Sequence, residues 1–330
     1  MKQKSKFSKL VKSQEFIVFI ILIVMYILFG VLNSQFAQYT TFITMFDFGS
    51  YYVLMAMGVG LCLITGGVDL SIGTGLIAYG AVGGALIRYT GCSVIVGMLL
   101  TIVVGVAFGL LNGILVARMD LPPFLATLCT CMIARGVGSL ASLNSSIPWP
   151  LSTAPDGWFH NIFKVILEDG TIIPVSFIWV FVVMLFMRYV LNSTKFGRYT
   201  IAIGSNKEAT ILSGVNVKFY HTMVYVVCGL FAGVAAVAYS AATPSIQPGQ
   251  GAGVEMDAIG GAIVGGVSAA GGYGTMPGIY VGTFVILALK VGLPFIGLNA
   301  NWQQIITGLV LIGATLIDII KRRRAAKAVE

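Results

Sequence analysis

Apolar residues fill long runs from Phe16 to Ile320, and one polar segment, Asn192 to His221, interrupts them with four basic side chains. A run of ~20 apolar residues matches the ~30 Å hydrocarbon core of a bilayer, where a helix satisfies its own backbone polar groups. The pattern therefore predicts an all-α polytopic membrane protein with about ten spans. They run approximately Phe16 to Leu32, Met45 to Ile64, Ser71 to Tyr89, Ser93 to Ala117, Pro123 to Leu140, Val175 to Leu191, Thr222 to Ala242, Asp257 to Ser268, Met276 to Leu293 and Trp302 to Ile320. The second and third are separated only by Thr65 to Leu70. The eighth is glycine-rich and reaches only about 18 Å as a helix, so a tilted, broken or re-entrant segment is expected there.

Composition supports this picture: 57% of residues are hydrophobic and 10% charged, against roughly 25% charged in soluble domains. The net charge of +8 would suggest nucleic acid in a soluble protein, but here the basic residues cluster in loops and tails, where they set orientation. Fifteen of the twenty Lys and Arg fall in segments that are cytoplasmic if the N-terminus is inside, which places both termini in the cytoplasm. The chain then reads as one transmembrane domain over 1–330. It comprises a basic cytoplasmic N-terminus (1–15), an external loop (141–174), a cytoplasmic loop (192–221) and a basic cytoplasmic tail (321–330). Lys2, Lys4, Lys6, Lys9 and Lys12 precede an apolar run too long for a signal peptide's core and without a small-residue cleavage site, so an uncleaved first span is expected. The external loop, with Lys164, Asp156, Glu168, Asp169 and several prolines, suits either a folded cap or a plain connector.

The 41 glycines concentrate around the irregular spans. Within a membrane, small residues allow close helix approach and permit interruption beside a cavity. Gly66-Gly67-Val68-Asp69 is echoed by Gly265-Gly266-Val267-Ser268, as in transporters built from two pseudo-symmetric halves. Gly66, Gly67, Asp69, Ser71, Gly265 and Gly266 are accordingly candidate pathway or hinge residues. A carboxylate at the bilayer centre costs at least ~2.5 kcal/mol, so Asp69 should face protein or water, either in a pathway or as a cap for the helix starting near Ser71. Arg135 is expected in the outer half of the fifth span, paired with Asp47 or a carbonyl, and with Glu255 and Asp257 it makes a candidate external vestibule. Lys290 should snorkel outward.

Enzyme chemistry finds little support. His160 and His221, the only histidines, fall on opposite sides of the membrane, and the five cysteines lack metal or disulfide spacing. No G-x-x-x-x-G-K-[ST] phosphate loop occurs, so a pump of this kind needs a separate motor. The polar segment offers a handle: Asn206 can cap a short helix toward Ser213, with Glu208 near its positive end and Gly214 as terminator. A solvated loop is the plain alternative.

At these residues the sequence resembles the permease subunit of bacterial monosaccharide importers of the ABC class, the ribose, galactose, xylose and arabinose permeases. The resemblance covers nearly the whole chain. It rests on Gly66 to Gly73, Pro123 to Leu128 with Ala134-Arg135-Gly136, Thr194 to Val215, Glu255 to Ile259, and Val264 to Ser268 through Gly271 to Thr275. Cys129-Thr130-Cys131 replaces a usual glycine, and Tyr79 and Tyr273 stand at otherwise small or aliphatic positions.

The resemblance implies an ABC importer permease fold in the bacterial cytoplasmic (inner) membrane, forming a homodimer or a heterodimer with a paralogue. An external (periplasmic) sugar-binding protein would deliver the solute. A cytoplasmic ATPase would use ATP and Mg, and this chain would bind no cofactor, metal or nucleic acid. The ATPase-coupling residues would be Lys195, Phe196, Gly197, Arg198, Gly204, Asn206, Lys207, Glu208, Ala209, Ser213 and Gly214. A permease for a nucleoside, branched-chain amino acid, inositol or quorum-signal sugar, or an ion-coupled carrier, remains the alternative.

Overall fold

In the computed structural model the apolar runs become helices, and residues 14–167, 171–243 and 245–327 are described, with side chains up to 320. Eight helices are long and apolar enough to cross a membrane. They are α1 (Gln14–Leu32), α2 (Tyr39–Ile64), α4 (Val94–Ala117), α5 (Pro123–Ala141), α6 (Val175–Ser193), α9 (Val217–Ala242), α11 (Met276–Phe295) and α12 (Ala300–Lys327). Between them lie α3 (Ser71–Thr90), α7 (Lys195–Ser205), α8 (Lys207–Leu212) and α10 (Val254–Val264). The five N-terminal lysines, Glu168, Asp169 and the side chains of the basic tail lie outside the described residues.

Helices α2, α3 and α9 form the centre, and α2 is buried along nearly its whole length from Gly49 to Ile64. Helix α3 is as long as a span but carries Ser71, Thr74, Tyr79 and several glycines; these lower its hydropathy, and burial among neighbours replaces lipid contact. Close packing follows from small residues. Gly105 and Gly109 of α4 meet the backbone of α9 at Gly229, so a Cβ at any of the three would strike main chain. Helix α12 is the opposite case, with no buried residue in its apolar stretch and Leu309, Ile312 and Leu316 exposed.

The second span begins at Tyr39, six residues before the expected Met45. Tyr39-Thr40-Thr41 carries a weak hydropathy signal, yet Thr41 is buried and its hydroxyl donates to the Gln35 carbonyl (3.1 Å). The short eighth segment is a helix of eleven residues that ends at Val264, before Gly265, instead of continuing to Ser268.

The segment between α5 and α6 is folded. A 3-10 helix (Pro155–Ile162) follows β1 (Ile147–Pro148), and β2 (Val165–Ile166) pairs with β3 (Ile172–Ile173). β1 pairs antiparallel with β4 (Ser245–Ile246), which ties this cap to the end of α9. His160 reinforces the tie, its ring nitrogens lying 3.0 Å and 2.9 Å from the carbonyls of Ala241 and Pro150. At the opposite end of α9 lie α7 and α8.

Candidate functional site

Three chain segments converge at the end of the molecule away from the cap: the 65–70 break between α2 and α3, the 265–275 break between α10 and α11, and helix α7. The two breaks begin identically. Gly66 and Gly67 donate to the carbonyls of Leu63 and Cys62, and Gly266 and Val267 donate to Ile263 and Ala262, all at 2.9 Å. Gly66 and Gly266 both adopt left-handed φ, +80° and +98°. An L side chain is strained in that conformation, so glycine stands where each helix must stop and turn.

Helix α7 is wedged between the breaks. The Gly272 amide donates to the Ile64 carbonyl (2.8 Å), and a Cβ on Gly204 would collide with both groups. Gly271 packs on the backbone of Gly204 and Gly66. The candidate hinge residue Gly66 and the candidate coupling residue Gly204 thus share one close-packed backbone junction. Two further side chains reach the second break: Thr275 donates to Glu15 of α1 (2.9 Å), and Ser268 donates to Asp318 of α12 (2.9 Å).

The first break is sealed around Asp69, which is 1% exposed. Its Oδ1 accepts from the Ser71 amide (2.9 Å) and hydroxyl (2.6 Å), while Oδ2 accepts from the Asn112 amide (3.1 Å). Thr130 of α5 donates to the Asn112 Oδ1 (2.6 Å). None of the three ion pairs among the described residues involves Asp69, so hydrogen bonds alone compensate its carboxylate. Asp69 therefore braces α3, α4 and α5 together. The N-cap position of α3 is Leu70, and Asp69 closes the turn just before it. Asn112 and Thr130 were hidden in the sequence as isolated polar residues within apolar runs.

The polar segment folds as two helices where the sequence suggested one. Thr194 caps α7 by accepting from Gly197 (3.3 Å), and Asn206 caps α8 by accepting from Ala209 (2.8 Å). Arg198 donates to the Ser193 carbonyl (3.1 Å), and a Cβ on Gly197 would strike the Leu191 backbone. Glu208 lies in the first turn of α8, and Gly214 follows it at φ +77°. Phe196 packs on the core, whereas Lys195, Ala209 and Ser213 are exposed, and Lys207 pairs with Asp120 at the surface (3.3 Å). Beyond the cap, α8 presents Ile211 (52% exposed) and Leu212 (89% exposed). An apolar pair at the tip of an otherwise polar segment was the available signal for this surface.

The candidate vestibule residues make separate contacts. Arg135 is exposed on α5 and does not pair with Asp47, whose partner is Lys164 of the cap (3.6 Å). Glu255 folds back to accept from the Gly253 amide (3.1 Å). Asp257 turns elsewhere, forming an ion pair with Lys290, which also donates to the Tyr52 hydroxyl. Lys290 thus has a carboxylate and a phenol for partners while its side chain remains 36% exposed. With its members 33 positions apart, this pair follows no local spacing that could have announced it.

A multi-helix membrane protein with paired glycine breaks meeting beside two capped surface helices has the architecture of a transport permease. Residues 41–315 match the family described as the branched-chain amino acid transport system / permease component, and the chain belongs to that family. It is 34% identical over 272 residues to the ribose import permease of Escherichia coli K12, covering 82% of each chain. It is 31% identical to the galactose/methyl galactoside import permease of the same strain (83% of this chain, 85% of the relative). The fructose import permease of Bifidobacterium longum is likewise 31% identical (80% and 78%). No solved structure matches the chain.

Proposed function

We propose that this chain is the membrane-spanning subunit of an ATP-driven importer that carries a monosaccharide into a bacterial cell. The observation that carries the reading is its similarity along most of its length to import permeases named for ribose, galactose and fructose. In the bacterial inner membrane the chain crosses ten times: the eight long apolar helices supply eight crossings, and α3 and α10 line the interior as the others. Both termini and α7–α8 then face the cytoplasm, and the cap faces outward.

Two such chains, identical or paralogous, flank the pathway. An external binding protein delivers the sugar, and a separate ATPase hydrolyses ATP, so this chain performs no covalent chemistry. The exposed Ile211 and Leu212 fit an apolar groove on that ATPase, and Lys195, Arg198, Lys207 and Glu208 surround the contact. Displacement of α7–α8 is transmitted through Gly204 to the ends of α2 and α10, which bend at Gly66 and Gly266.

The test is uptake into vesicles by the permease reconstituted with its ATPase and binding protein. ATP-dependent accumulation of labelled ribose, galactose or fructose is expected, with excess leucine failing to compete. Accumulation of leucine in place of sugar would contradict the reading and favour the solute in the family's description.

A further inference from the structure

Between α10, α11 and α12, on the cap side of the molecule, lies a crevice of about 640 Å³ that the reading so far leaves unused. That volume falls within the ~300–1,000 Å³ of small-molecule sites. Its floor holds the Asp257–Lys290 pair, and its α12 wall carries Gln303, Gln304 and Thr307. We propose that this crevice is a station on the transport path where an uncharged polyhydroxylated solute is hydrogen-bonded before it moves inward. The proposal rests on the sugar-import reading and names the part of the chain that holds the sugar.

Three features point this way. The first is charge. An ion pair here contributes little stability, because well-packed apolar residues in its place are often neutral or stabilising. Asp257 and Lys290 cancel each other's charge while leaving a carboxylate acceptor and an ammonium donor at the crevice. Such a surface offers no net attraction to an anion or cation and suits a ligand whose hydroxyls both donate and accept.

The second is the pattern on α12. Ile305, Leu309, Ile312 and Leu316 recur at helical spacing and are exposed, as a lipid-facing stripe requires. Gln303, Gln304 and Thr307 lie on the flank that lines the crevice. Polar side chains within a membrane face protein or water, so this flank borders a wet space. Thr307 and Gly308 follow Gln303 and Gln304 by four residues, which keeps one narrow polar strip over the ion pair.

The third is placement. Asp257 lies in the first turn of α10, the helix whose other end stops at Val264, just before the break in which Gly271 and Gly272 pack on α7. A ligand seated at the ion pair therefore lies on the one short helix that runs from the cap side to the moving break.

The experiment uses the complete importer in vesicles. Replacing Gln303→Leu together with Thr307→Val removes two hydrogen-bonding side chains from a helix with no buried residue in its span, so folding is spared. Loss of two neutral hydrogen bonds predicts about a tenfold fall in ribose or galactose uptake, with ATP hydrolysis changed less than twofold. In parallel, Thr307→Cys should gain labelling over the parent by a charged, membrane-impermeant thiol reagent added outside, and sugar supplied during turnover should slow it.

Unchanged uptake by the double variant would overturn the inference while leaving sugar import standing. So would a Thr307→Cys site that reacts only with a lipid-soluble maleimide, which would mark the crevice as lipid-filled. If the parent importer accumulates no sugar at all, the functional reading fails and this inference falls with it.

Discussion

The breaks at 65–70 and 265–275 stop their helices with the same two hydrogen bonds and the same left-handed glycine, yet their surroundings differ. The first is locked from within: Asp69, Ser71, Asn112 and Thr130 form a closed buried network that joins α3, α4 and α5. The second has no such lock among the described residues. Its side chains reach, among others, α1 through Glu15 and α12 through Asp318. The same backbone device thus stands in one place inside a buried network and in the other beside α1 and α12, with α7 touching both. A lever pushing on the pair would move the second break against the first.

The contrast can be broken most severely at Gly204, which separates the two. Gly204→Leu forces a side chain into the Ile64 carbonyl and the Gly272 amide. Overpacking of this kind costs typically ~1–3 kcal/mol; sugar uptake is expected to drop below a tenth of the parent's, measured alongside thermal unfolding to separate misfolding from lost coupling.

Asp69→Ala should be nearly as damaging, but to stability. It leaves the Ser71 amide and hydroxyl hydrogens buried without an acceptor and Asn112 with only the Ser71 hydroxyl to donate to, at about 1–3 kcal/mol for each orphaned group. The midpoint of thermal unfolding in detergent should fall by several degrees. Ser268→Ala, in the second break, removes a hydroxyl that donates to the Asp318 carboxylate, a hydrogen bond to a charged group worth about 1.5–3 kcal/mol. Its unfolding midpoint should shift less than that of Asp69→Ala, and equal shifts would erase the distinction between the two breaks.

Smallest of all is Lys207→Ala. Its pairing with Asp120 is exposed on both sides and contributes about 0–1 kcal/mol at most. Unfolding should be unchanged within error.

The helices were legible because burial in lipid writes itself as apolar runs, and even the short α10 and the break before Ser71 could be anticipated from glycine and length. The two-fold echo of Gly66-Gly67 and Gly265-Gly266 was visible as four letters, while the hydrogen-bond geometry matches Gly66 to Gly266, one residue off that alignment, and emerged only in three dimensions. Helix α7 escaped notice because Lys195-Phe196-Gly197-Arg198 is polar and amphipathic, and its caps govern a segment outside the apolar pattern. Pairings across distant helices were not legible at all. Asp47 pairs with Lys164 and not with Arg135, and the partly exposed Lys290 pairs with Asp257. Hydropathy records depth in a membrane, and depth does not say which neighbour a charge will face.

The most direct measurement substitutes Leu212→Asp at the exposed tip of α8 and follows sugar uptake and ATP hydrolysis together in reconstituted vesicles. Uptake should fall to background, with the ATPase losing its response to the loaded binding protein while the permease itself remains folded. Parent-like uptake by this variant, or accumulation by the permease alone under an ion gradient without any ATPase, would contradict the account.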